Sequence, residues 1–153
     1  YQIRGLAQLA VKRGLFLQIH SGAAPVSALF SLAPKIRILW AHAGMSEPPE
    51  VIGRLLEAHK NLWVGLSFRA GDIVPGGRGG RIDPEWRALF LRHPDRFVYG
   101  TDTYITERWG GYGELVEAHR VWLRQLPRKV AEKIAYRNAV RLFGAGKGTG
   151  LPE

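Results

Sequence analysis

Three side chains stand where chemistry could be done. His20, His42 and Asp102 each follow an apolar run, in Gln18-Ile19-His20-Ser21-Gly22, Trp40-Ala41-His42-Ala43-Gly44 and Tyr99-Gly100-Thr101-Asp102. Two imidazoles and a carboxylate form a donor set that suits a divalent metal able to activate water. Glycine and other small neighbours leave room for an ion and a substrate above each strand. Each residue also has a plain structural reading: a hydrogen-bonded histidine at a strand end, or an aspartate that caps the next loop. What favours chemistry is that all three occupy the same kind of place.

The elements that must position them follow from the apolar pattern. Residues 2–13 carry Ile3, Leu6, Ala7, Ala10 and Val11 on one helical face, and Gly14 ends that helix. Leu15-Phe16-Leu17-Gln18-Ile19 reads as a strand buried on both faces. A helix over Val26 to Leu32 stops at Pro34. Ile36 to Ala41 is a second strand, and Ser46 is expected to cap the helix that carries Val51, Ile52, Leu55 and Leu56. Asn61 to Phe68 is a third strand, followed by a glycine-rich loop from Gly71 to Gly80. Asp83-Pro84 caps a helix with Trp86, Leu89 and Phe90, and Arg96 to Gly100 is the fourth strand. Two helices close the chain, one from about Glu114 to Leu126 with His119 and Trp122 facing inward, the other after Pro127.

Strict alternation of buried strands and helices argues for a parallel sheet with helices outside. In such folds ligands bind at the C-terminal ends of the strands, where all three residues fall. The 153 residues are too few for a full eight-stranded barrel, which needs at least about 200. Four strand–helix units fit half a barrel. A small doubly wound sheet that binds a ligand without turnover is the rival.

Composition bounds the chemistry further. There is no cysteine, so disulfides and thiolate metal sites are excluded and any metal must be held by His and carboxylate. The same absence agrees with a cytoplasmic location. Lys and Arg number 22 against 13 Asp and Glu, a formal charge of +9. The basic residues are scattered, without a dense run or an aromatic interleave, so no specific nucleic-acid partner is expected. No apolar run approaches the roughly 18–20 residues of a spanning helix, so no membrane partner is expected either. The sequence opens at Tyr1 within a helical pattern, which leads us to expect a chain cut from a longer one. Residues 145–153 are Gly-rich and expected to fray.

The three motifs around His20, His42 and Asp102 resemble strands five, six and eight of the amidohydrolase-related family of metal-dependent hydrolases, which also includes aminocarboxymuconate-semialdehyde decarboxylase. Lys133-Ile134-Ala135-Tyr136-Arg137-Asn138-Ala139-Val140-Arg141-Leu142-Phe143-Gly144 is similar to that family's closing helix. The resemblance runs from residue 1 to about 144. It implies an α/β fold, the C-terminal half of a (β/α)8 barrel with strands five to eight. It further implies that His20 is a metal ligand and that Asp102 binds metal and orients or deprotonates water. His42 would then polarise the substrate or transfer protons. The metal would be zinc, with manganese or iron as alternatives, and the reaction a hydrolysis or a non-oxidative decarboxylation of a small molecule. The family's remaining ligands are a His-x-His pair after strand one, and no His-x-His exists here. The expected partner is therefore a missing N-terminal half, or a second copy of the chain.

Two further expectations concern loops. Arg69, just after the third strand, is a candidate to bind a substrate carboxylate, with an ordinary salt bridge as the alternative. Tyr104 and Arg108 follow Asp102 in a loop expected to border the site. His59, His93 and His119 carry no expected role.

Overall fold

The computed structural model describes residues 2–144, so the Gly-rich tail 145–153 lies outside the described residues. Four short strands, β1 (Phe16–Ile19), β2 (Arg37–Trp40), β3 (Leu62–Gly65) and β4 (Phe97–Val98), form one sheet in the order β1-β2-β3-β4. All three pairings are parallel. Parallel neighbours need right-handed crossovers, so a sequential order places every connecting helix on the same face. A doubly wound sheet reverses its strand order at a switch point; this one does not, and the rival architecture falls.

Helix α1 (Gln2–Arg13) precedes β1, α2 (Ala23–Leu32) joins β1 to β2, and α3 (Pro49–Ala58) joins β2 to β3. Between β3 and β4 run the short α4 (Ala70–Ile73) and then α5 (Pro84–Arg92). After β4 come α6 (Thr106–Trp109), α7 (Tyr112–Leu123) and α8 (Arg128–Glu132). A π-helical turn, Lys133–Arg137, then leads into α9 (Asn138–Phe143). Among the described residues, no helix is long and apolar enough to cross a membrane.

The register shows why the strand runs are continuously apolar. Leu17, Ile38, Trp40, Leu62, Val64 and Phe97 share the helix-facing side, and all but Leu17 are fully buried among residues such as Val26, Phe30, Ile52, Phe90 and Trp122. The opposite side carries Phe16, Gln18, Arg37, Leu39, Trp63, Gly65 and Val98. It is largely apolar too, yet most of it is only half-covered and Gln18 is exposed. Burial on both faces, expected from the sequence, is thus met on one face alone. β1 and β4 are both edge strands, so the sheet is open at both sides.

Two details bear on the site. Helix α3 is not capped by Ser46: Pro48 is the N-cap and Pro49 the first helical residue. The prolines set φ for the helix start, while Ser46 is taken up in the preceding turn, its N–H donating to the Gly44 carbonyl. Asp83 does cap α5 as expected, accepting from the N–H groups of Glu85 and Trp86.

Candidate active site at the strand ends

The chain leaves β2 through a tight turn, Ala41–Gly44, in which His42 (φ 54°, ψ 28°) and Ala43 (φ 48°, ψ 44°) are both left-handed. Phe68 after β3 (φ 65°) and Asp102 after β4 (φ 54°) are left-handed as well. Non-glycine residues in this region cost about 1–3 kcal/mol each and persist where surrounding structure holds them. Here they cluster at the same end of the sheet.

What holds the turn is visible. Arg69 is 3% exposed, and its Nη1 donates to the carbonyls of both left-handed residues, His42 at 3.1 Å and Ala43 at 2.8 Å. Its Nη2 donates to the Glu47 carbonyl (2.9 Å) and its Nε to Asp72 (2.6 Å). The guanidinium also lies over the Trp86 ring, 5.0 Å from its centroid. Four of its five N–H donors are engaged inside the protein. Arg69, expected as a contact for a substrate carboxylate, is therefore placed as a tie for the His42 turn, with these donors facing the protein. Nor is it a surface salt bridge, because three main-chain carbonyls share it.

The same turn is stitched to the loop after β1. Trp40 Nε1 donates to the Ser21 carbonyl (2.7 Å), and the N–H of Ala23 donates to Glu47 Oε1 (2.8 Å). Gly44 (φ 73°) is required: a Cβ there would meet Trp40 Cζ2 at 2.2 Å and Glu47 Cγ at 2.6 Å. These ties bring the His20 and His42 rings edge-to-face with centroids 4.7 Å apart. His42 is oriented by Ser67. A protonated Nδ1 donates to the Ser67 carbonyl (3.1 Å), and an unprotonated one accepts from Ser67 Oγ (2.9 Å). Nε2 is left free of hydrogen bonds among the described residues.

Asp102 is positioned less directly, because β4 is only two residues long. Asn138, buried at the start of α9, donates to the carbonyls of Pro94 and Phe97, both at 2.9 Å. The Tyr99 N–H donates to the Ile134 carbonyl in the π turn (3.0 Å). The closing helix thus carries the end of β4 and, four residues on, Asp102. Its carboxylate accepts from Arg108 Nη1 at 3.3 Å.

His20, His42 and Asp102 line one open cleft of about 610 Å³ together with Gln18, Ala41, Met45, Phe68, Tyr104 and Arg108. The sequence-derived trio is therefore brought together at one rim, with Tyr104 and Arg108 bordering it as expected. Sequence reading missed Ser67, Phe68 and Glu47. The chemistry of the donor set suits zinc, but the geometry falls short. Among the described residues no three His, Asp or Glu side chains converge closely enough to hold a metal ion, and Asp102 already has a cationic partner. The described residues alone do not complete a metal site.

His119, buried on α7, lies outside the cleft. Its Nδ1 accepts from Trp122 Nε1 (3.3 Å) and its ring meets Tyr99 edge-on. Burial pulls its pKa down to about 4, so it is a neutral core residue.

No curated protein matches the chain. Its fold is similar to an uncharacterised TIM-barrel protein of Bordetella bronchiseptica, at 16% identity and a TM-score of 0.62, covering 92% of this chain and 50% of that one. It is also similar to an amidohydrolase of Burkholderia multivorans. The form of that protein with bound HEPES gives 15% identity and a TM-score of 0.61, and the form with bound zinc 16% and 0.62. Each covers 92% of this chain and 56% of the other. The chain thus spans about half the length of these barrels. The sequence profile of the amidohydrolase family matches residues 2–145, all four strands included. By that match, the chain belongs to the amidohydrolase family.

Proposed function

We propose that this chain supplies part of the active site of a metal-dependent hydrolase acting on a small molecule. The observation that carries the reading is the convergence of His20, His42 and Asp102, from three separate strand ends, on one cleft. His20 and Asp102 would be two of the donors to a divalent metal, zinc first. A metal so held would supply Lewis acidity towards water and a carbonyl. The zinc bound by the Burkholderia amidohydrolase supports that choice. Asp102 accepts the proton of the attacking water, and His42, held through Nδ1 by Ser67, offers Nε2 for proton transfer at the substrate.

The remaining donors must come from outside this sheet. Its two open edges and half-covered inner face favour a complementary half-barrel that closes the sheet, with a His-x-His pair among its residues. An unpaired parallel edge otherwise invites association with another copy. Non-oxidative decarboxylation by the same residues is the second reading, favoured by the imidazole pair beside the cleft.

The test is to co-express the chain with an N-terminal half-barrel carrying His-x-His and assay amides, esters and carboxylic acids with zinc. Turnover is expected from the pair and not from the chain alone. It is also expected to vanish in Asp102→Asn and His20→Ala. Turnover that survives both substitutions would refute the reading.

A further inference from the structure

Arg108 lines the cleft while Arg69 ties the turn beside it, and the two differ in what they hold. Arg69 is used up internally. Among the described residues, the guanidinium of Arg108 has one hydrogen-bond acceptor, Asp102, through one nitrogen at 3.3 Å. A carboxylate can take an arginine through two N–H groups at about 2.7–2.9 Å, so this pair is a partial one. The Arg108 side chain is nevertheless only 20% exposed. Its guanidinium carbon lies 4.1 Å from the centroid of the Phe68 ring and 5.8 Å from that of Tyr104.

Phe68 needs its own explanation. It is an apolar residue held left-handed and 56% exposed at the rim of the cleft. Its ring lies tilted against His42, with centroids 5.3 Å apart, and also carries Arg108. Stacking on an aromatic face fixes the plane of a guanidinium. The strained backbone therefore places a flat platform that aims Arg108 into the cleft next to His42.

We infer that Arg108, on the Phe68 platform, is the anion receptor of this cleft and takes the carboxylate of an acidic small-molecule substrate. The assignment rests on the proposed hydrolase reading in one respect: an Asp102 engaged in that chemistry would leave Arg108 without its counter-ion in a half-buried site. A substrate carboxylate replaces it, and Asp102 holds the guanidinium in place beforehand. Asp102 and an incoming anion thus compete for one group.

That competition gives the test, on the chain stripped of metal with EDTA so that its outcome is independent of any metal chemistry. Benzoate and its neutral isostere benzamide are titrated by NMR against wild type, Arg108→Met, Arg108→Lys, Asp102→Asn and the Arg108→Met/Asp102→Asn double variant. Unchanged melting curves show that each variant is folded. Benzoate is expected to bind better than benzamide. Asp102→Asn is expected to tighten benzoate, and Arg108→Met to weaken it by about tenfold to a hundredfold, the scale of a charge-assisted hydrogen bond. Arg108→Lys falls between, and the double variant shows no gain over Arg108→Met. Equal binding of benzoate and benzamide overturns the inference. So does a gain from Asp102→Asn that persists without Arg108, or an absence of benzoate binding in both wild type and Asp102→Asn. Failure here leaves the hydrolase reading to its own test, which measures turnover.

Discussion

Replacing Arg69 by Met would remove the guanidinium, with its contact over Trp86, and keep most of the buried aliphatic stem. Three main-chain carbonyls, those of His42, Ala43 and Glu47, would lose their donor. With the site almost closed to water, solvent replaces that donor poorly. Net contributions of about 1.5–3 kcal/mol per hydrogen bond to a charged group do not add fully when they share one side chain. Breaking a buried charged cluster costs about 3–5 kcal/mol in comparable cases. Asp72, whose side chain is more than half exposed, is re-solvated and adds little. We therefore expect Arg69→Met to lose about 3–5 kcal/mol, a large share of the roughly 5–15 kcal/mol of a typical domain. Arg69→Lys should recover part of that, since an ammonium reaches fewer of the carbonyls and lacks the planar fork. Urea denaturation of the three proteins reads this as a shift in midpoint at constant slope. A shifted Ser67–His42 resonance pattern in NMR should accompany it. An Arg69→Met protein that unfolds at the wild-type midpoint and loses only ligand binding would refute the tie and restore Arg69 as a substrate contact.

The same geometry has other measurable consequences. His119 is neutral when folded, with its pKa near 4 against an ordinary 6.5, so the unfolded chain binds the extra proton between those values. Stability should be complete above pH 6.5 and fall by roughly 3 kcal/mol as pH drops through that window to 4; His119→Phe should flatten this part of a pH–stability curve, and an unchanged slope would show that another group is responsible. Gly44→Ala should cost about 3 kcal/mol or more, because a Cβ must displace the buried Trp40 ring at a left-handed position; thermal melting together with a shifted Trp fluorescence maximum checks it, and a wild-type melt contradicts it. Ser67→Ala should leave the melting temperature within a few degrees of wild type while changing the tautomer signature of His42 in nitrogen NMR, because it removes a hydroxyl partner and spares the carbonyl; an unaltered His42 spectrum would show that Ser67 Oγ does not orient the ring.

Much of this fold was legible because burial writes itself into sequence. Four apolar runs became four parallel strands in order, and the polar residues that ended three of them became the rim of one cleft. Strand lengths were overestimated where the chain turns early: β3 stops at Gly65 rather than Phe68, and β4 is two residues rather than five. Left-handed residues follow both strands, at Phe68 and Asp102, and hydrophobicity does not signal them. The tie made by Arg69 was hidden for a related reason. A basic residue after a strand looks available, and the carbonyls it serves lie 22 to 27 residues away in sequence. Ser67 was read only as a strand residue. Its role depends on the neighbouring strand's turn bringing His42 against it, a contact set by register rather than by local pattern. Asn138 stood within the motif shared with the family's closing helix. That it carries β4, and through it Asp102, emerges only from the packing.

The central proposal is that His20 and Asp102 are donors in a metal site that the described residues do not complete. Calorimetric zinc titration of the metal-free chain tests it most directly, with His20→Ala, Asp102→Asn and His59→Ala alongside. Weak binding is expected, far from the roughly 10–16 kcal/mol of structural zinc sites, abolished by the first two substitutions and untouched by the third. Tight stoichiometric zinc binding by the chain alone, or binding indifferent to His20 and Asp102, would contradict it.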